Sequence, residues 1–229
     1  GGDEIFGNYN RGKFFSQFQH GNSVKGLDIN LFKDSIQNVF FLMKEQYANQ
    51  ILKNNEPGIV NNLFNLFNSY KHNHVDDRIA QLSFDSQLVD EFLMMTDRFS
   101  MAHSLEVRTP YLDHDLVNLL FSMPIKYRLD RASYKIALKK SIGHLLPESV
   151  LSAKKHGFNI PLSLWMRGYL RDLVEDLIGQ SALKNSEFIK QDFYRSYVRP
   201  MLDGDNSNIS LIWSVLMFQM WLKSKKKLH

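Results

Sequence analysis

The amino-acid sequence predicts a mainly α-helical chain, and three observations carry that reading. Apolar residues recur at spacings of three and four in several segments, as one face of a helix requires. No segment alternates apolar and polar residues convincingly in the manner of a strand. Pro57, Pro110, Pro124 and Pro147 each follow a periodic segment and stop it. With 229 residues, 44% of them hydrophobic and 23% charged, the composition fits one globular domain, residues 1–229, with a sizeable core.

The elements follow in order. Gly1-Gly2-Asp3-Glu4 reads as a tight turn, and Asn8-Tyr9-Asn10-Arg11-Gly12 as a loop or short helix. Leu31, Phe32, Ile36, Val39, Phe40, Met43 and Tyr47 form one apolar face over residues 28–47, stopped by Asn54-Asn55-Glu56-Pro57-Gly58. Residues 59–74 are asparagine-rich and carry no functional signal. A helix is expected over residues 82–101, with Glu106-Val107-Arg108-Thr109-Pro110 ending it. Asp113 is placed to cap a helix through Leu116, Val117 and Leu120. Further helices are expected over residues 133–145 and 164–178. In a last one, Trp213, Met217 and Trp221 share a face at steps of four.

Composition also excludes function classes. With no cysteine there is no disulfide, thiolate metal site or cysteine nucleophile in this chain. The net charge of +4 is mild, and part of it sits in the tail Lys223-Ser224-Lys225-Lys226-Lys227, which reads as a solvated end and not a nucleic-acid site. The most apolar run is far shorter than the roughly 20 residues that span a bilayer. A soluble, cytoplasmic protein without membrane or nucleic-acid partners is expected.

Three motifs bear chemistry. Two glycines before two carboxylates, at Gly1-Gly2-Asp3-Glu4, can bring an acid near a phosphate-bound cation; the same residues would equally serve a tight turn with Asp3 capping a helix. Charged residues cluster in Asp97-Arg98-Phe99-Ser100-Met101-Ala102-His103-Ser104-Leu105-Glu106-Val107-Arg108-Thr109-Pro110-Tyr111-Leu112-Asp113, which also fits a structural ion-pair network at a helix end. In Lys154-Lys155-His156-Gly157-Phe158-Asn159-Ile160-Pro161, a glycine and an anchoring phenylalanine follow a lysine pair. A loop pinned in that way suits pyrophosphate, whose charge a compact cation offsets, although a lysine pair in a loop is also ordinary solvated surface.

In this order and spacing, the segments resemble the synthetase domain of the glutamine-dependent asparagine synthetases. The family turn reads Ser-Gly-x-Gly-Gly-Asp-Glu-x-Phe-Gly-Gly-Tyr, with Asn8 here at a usual glycine. Residues 97–113 resemble its Asp-Arg-x-Ser-Met-Ala-x-x-x-Glu-Val-Arg-x-Pro-x-Leu-Asp, and residues 154–165 its Lys-Lys-x-Gly-Phe-x-x-Pro-x-x-x-Trp. Tyr134-Lys135-Ile136-Ala137-Leu138-Lys139 is similar to its Lys-x-x-Leu-Arg helix, with Lys139 in place of arginine. The Gly-Gly-Asp-Glu string also resembles the diguanylate cyclase signature, but that motif sits on a hairpin and nothing downstream here is strand-like.

The resemblance implies the helical carboxy-terminal part of an α/β adenine-nucleotide α-hydrolase-like (PP-loop ATP pyrophosphatase) synthetase domain. It implies ATP and Mg²⁺ as cofactors, and aspartate and glutamine-derived ammonia as substrates. Asp3 is the implied magnesium ligand, and Lys155 the implied catalytic, pyrophosphate-facing cation. Glu4 would support the turn beside the nucleotide. Tyr9, Arg98, Glu106 and Arg108 would line or back the pocket. The family's ATP loop, Ser-Gly-Gly-x-Asp-Ser, and its glutaminase cysteine are not in the sequence. The expectation is therefore a partial chain, inactive alone, that lacks amino-terminal glutaminase and PP-loop segments; a homo-oligomer stays open. Two other readings stand beside it: a non-catalytic helical assembly module, and an amidotransferase acting on another carboxylate, such as a surface-polysaccharide sugar.

Overall fold

A computed structural model describes residues 1–6, 45–54, 59–72, 75–128, 135–153 and 160–226. These residues are mostly helical, and the one β-type pairing among them is an isolated antiparallel bridge between Leu52 and Ile189. Among the described residues no helix is long and apolar enough to cross a membrane. The chain divides into two compact units, Gly1–Val39 with Ile59–Lys155, and Phe40–Gly58 with His156–His229. The expected helix over residues 28–47 lies mostly outside the described residues.

In the first unit the opening motif is structural as well as polar. Gly2–Phe6 is a short helix whose Ile5 and Phe6 are buried, each burial being worth about 1.5–3 kcal/mol. Around them pack Leu120, Leu112, Leu116, Val117 and Phe121, together with Ala137 and Leu138 of the helix Ile136–Ile142. The asparagine-rich segment forms the helix Ile59–Ser69, with Phe67 fully buried. A continuous helical run then covers Val75–Ser83, a π-helical stretch Phe84–Leu93, and Met94–Met101, so it begins before residue 82.

That run ends at Met101, where the sequence reading ends it, but not through Pro110. The Leu105 N–H donates to the Ser100 carbonyl at 3.0 Å and the Ser104 N–H to the Met101 carbonyl at 3.0 Å, with Ser104 in the left-handed region at φ 57°. This crossed pair satisfies the last carbonyls and turns the chain before Pro110 can act. The expected cap forms at the next helix: the Asp113 carboxylate accepts from the N–H groups of Asp115 and Leu116, both at 3.1 Å, at the start of His114–Ser122.

The second unit has its own core of Ile51, Met166, Val174, Ile178, Leu183, Ile189, Phe193, Val198, Ile212, Val215 and Leu216. The expected helix over residues 164–178 is instead two, Leu162–Arg167 and Arg171–Ile178. At Gly168 the backbone leaves helical geometry (φ −99°, ψ −117°), which no sequence periodicity reports. In the last helix, Ile209–Lys226, the buried face is Leu211, Ile212, Val215 and Leu216. Trp213 and Met217 flank that core, and Trp221 is exposed, so the tryptophan stripe is not the core face.

Gly179 joins the helices Arg171–Ile178 and Gln180–Lys184, and a Cβ there would clash with the Glu175 carbonyl oxygen. Gly179→Ala is expected to destabilise this unit by about 1–3 kcal/mol, as other forced overpacking does. An unchanged urea midpoint would contradict it.

Candidate functional site

The first and second motifs meet in the first unit. The 3₁₀ turn Pro110–Leu112 packs on the glycine pair. A Cβ at Gly1 would come within 2.7 Å of the Leu112 side chain, and one at Gly2 within 3.1 Å of the Tyr111 ring. Phe6 and Tyr111 pack edge to face with centroids 5.6 Å apart. Glycine is therefore needed at this turn for close approach.

With Ile5 and Phe6 held below, the two carboxylates are sorted by position. Glu4 is 4% exposed, and its Oε2 lies 3.0 Å from the Gly1 nitrogen. The contact holds the buried carboxylate against the start of the helix. Asp3 is about a third exposed, and its Oδ1 is 2.6 Å from the Lys135 ammonium, which is also about a third exposed. The cation reaches it from the start of the helix Ile136–Ile142.

One buried arginine underlies both sides of this pair. Arg128 is 1% exposed. It donates to Asp77 Oδ1 at 2.8 Å and to the Ile5 carbonyl at 3.4 Å, and its guanidinium stands 5.1 Å over the Phe121 ring. Its own carbonyl accepts the Ile136 N–H at 2.8 Å. A single residue thus ties the end of the Asp3 helix, the helix Val75–Ser83 and the start of the Lys135 helix. Burial lowers the proton affinity of the guanidinium and the Asp77 charge opposes that shift; an arginine stays charged in either case.

The other expected residues are placed differently. Arg98 is exposed on Met94–Met101, a helix with no buried residue. Glu106 and Arg108 pair with each other at 2.6 Å in solvent, a geometry that adds little to stability. Tyr9 and Lys155 lie outside the described residues. Among the described residues no three acidic or histidine side chains gather as a metal cage. A lone carboxylate such as Asp3 still fits Mg²⁺, which is commonly held by one or two carboxylates, substrate phosphates and water.

The family model of the asparagine synthases matches residues 1–223. The chain belongs to that family. Among relatives, it is 24% identical over 185 residues to "Asparagine synthetase [glutamine-hydrolyzing] 1" of Bacillus subtilis (strain 168), covering 79% of this chain and 28% of that protein. It is 35% identical over 83 residues to "Asparagine synthetase [glutamine-hydrolyzing] 3" of the same organism, covering 35% of this chain and 14% of that protein. A Gallus gallus asparagine synthetase [glutamine-hydrolyzing] is 28% identical over 116 residues, covering 44% and 21%. The chain spans well under a third of the length of these relatives. No solved structure matches it significantly.

Within this chain, the residues that sequence reasoning missed are Asp77 and Arg128. They are 51 positions apart and neither sits in a motif. A buried cation and anion with no local partner leave no periodic or spacing signal. Lys135 was visible only inside a family-like string, with nothing to link it to Asp3, 132 positions earlier.

Proposed function

We propose that this chain is part of an ATP-dependent amidotransferase that makes asparagine. The carrying observation is the family match along residues 1–223. The names of the relatives favour aspartate as the acceptor acid. In the proposed reaction, a side-chain carboxylate oxygen of aspartate attacks the α-phosphorus of ATP. The bond to the pyrophosphate oxygen breaks, leaving an aspartyl-adenylate. Glutamine-derived ammonia then attacks the activated carbonyl carbon and AMP departs, carrying the former carboxylate oxygen.

Asp3 is the proposed carboxylate ligand for Mg²⁺, an ion that neutralises charge on the phosphates as pyrophosphate leaves. Lys155 is the proposed second cation on the pyrophosphate. Glu4 holds the turn that presents Asp3, and Tyr9, Arg98, Glu106 and Arg108 back or line the pocket. Both compact units belong, in this reading, to one synthetase domain of the PP-loop class, whose ATP loop and glutaminase lie in sequence outside this chain.

The purified chain, given ATP, Mg²⁺, aspartate and ammonium, is expected to release no pyrophosphate. Addition of a polypeptide carrying the Ser-Gly-Gly-x-Asp-Ser loop is expected to restore release. Aspartate-dependent pyrophosphate from the chain alone would contradict the division of the site. One observation favours a non-catalytic assembly module as the second reading. Phe99, Met101, Leu105 and Val107 are 70%, 52%, 60% and 44% exposed in one run of chain, a large apolar surface to leave in water. Binding of the loop-bearing polypeptide without turnover would select that reading. Turnover with a different acid would move the substrate and not the chemistry.

A further inference from the structure

Lys135 occupies a position that suits lysine poorly. Its backbone is left-handed, φ 56° and ψ 40°, a region that costs a residue with a Cβ and that glycine or asparagine enters readily. It stands at the amino-terminal edge of the helix Ile136–Ile142 and makes no side-chain cap bond. Its charge also faces the positive end of that helix, where an anion would be favoured. Backbone, cap and dipole all argue against lysine here. The compensating contact is the 2.6 Å ion pair with Asp3.

The pair is not packed away as a core feature would be, since its side chains are 32% and 30% exposed. The supports beneath it are buried. Arg128 grips the Asp3 helix at the Ile5 carbonyl and the Lys135 helix at the Ile136 N–H. The fold thus fixes two short helices so that one ammonium meets one carboxylate at the surface. Strain retained at a surface polar pair, over a rigid support, marks a position where the side chain is needed for more than folding.

We infer that Lys135 is a positioning residue for Asp3. Its ammonium fixes the carboxylate in the orientation that a nucleotide-bound divalent cation meets, and lysine is kept in a left-handed position for that contact. The inference rests on the proposed function, because it gives Asp3 a cation to meet.

The test uses the complete enzyme, this chain joined to the sequence that carries the ATP loop, with Mn²⁺ in place of Mg²⁺. Binding of Mn²⁺–ATP is followed by electron paramagnetic resonance and folding by urea midpoint. Lys135→Gly is expected to weaken Mn²⁺–ATP binding by about 10–100-fold, the usual loss when a residue that orients a metal ligand is removed. Its urea midpoint should not fall, because the left-handed backbone strain is relieved. Lys135→Asn, which tolerates the same backbone without the ammonium, should behave alike, and Lys135→Arg should recover most of the binding. Unchanged Mn²⁺–ATP binding in the glycine and asparagine variants, with a lowered midpoint, would make Lys135 a structural residue and overturn the inference alone. An unmodified enzyme that binds no Mn²⁺–ATP would overturn the functional reading, and this inference with it.

Discussion

Replacing Arg128 by alanine is expected to destabilise the first unit by about 3–5 kcal/mol, the usual result of removing one partner of a buried ion pair. The guanidinium is 1% exposed, and three contacts end with it: the Asp77 carboxylate at 2.8 Å, the Ile5 carbonyl at 3.4 Å and the Phe121 ring at 5.1 Å. Alanine supplies none of them and leaves the nearly buried Asp77 charge without its cation. The physics also predicts the rescue. Arg128→Met combined with Asp77→Leu removes both charges and fills the space, so most of the loss should return. Urea unfolding of the single and double variants measures both. A single variant within about 1 kcal/mol of the unmodified chain, the scale of an exposed pair, would show that the pair carries no more than a surface contact. The Asp3 helix loses its tie at the Ile5 carbonyl, so the Asp3–Lys135 contact should loosen as well, while the Ile136 N–H keeps its bond to the main-chain carbonyl of residue 128.

The second large effect is chemical. On the proposed function, Lys155→Ala in the complete enzyme should lower pyrophosphate release by about 10²–10³-fold, the scale seen when one group aimed at developing charge is lost. Glutamine hydrolysis should be unchanged, because that chemistry uses a separate nucleophile. The argument is one of charge: three negative oxygens gather on the leaving group, and a compact ammonium is suited to meet them. Lys155→Arg should recover only part of the rate, since a planar guanidinium does not occupy the place of a point charge. Pyrophosphate release that is indifferent to Lys155→Ala would remove this lysine from the mechanism.

How much of this was legible beforehand depends on the range of the physics involved. Apolar spacing predicted a helical chain, and the described residues are mostly helical. The Asp113 cap was legible because its partners are two and three residues away. The family was legible because motif order survives in a linear string, and the match along residues 1–223 bears it out. How helices close or break was less legible. Met94–Met101 closes through Ser104 in a left-handed turn, and residues 164–178 break at Gly168. Both are backbone choices that a periodic pattern does not encode. The buried face of Ile209–Lys226 escaped for another reason: that helix is apolar on nearly every side, so periodicity cannot choose among its faces.

By itself, then, the sequence determined the helical class, the Asp113 cap and the family, each of which depends on residues a few positions apart or on motifs in fixed order. Tertiary structure alone decided what surrounds Asp3. Lys135 lies 132 positions along the chain, Arg128 pairs with Asp77 51 positions away, and the Gly1-Gly2 turn rests on Tyr111 and Leu112. Charges attract over a few ångströms of space, whatever their separation in sequence, and only folding sets that distance.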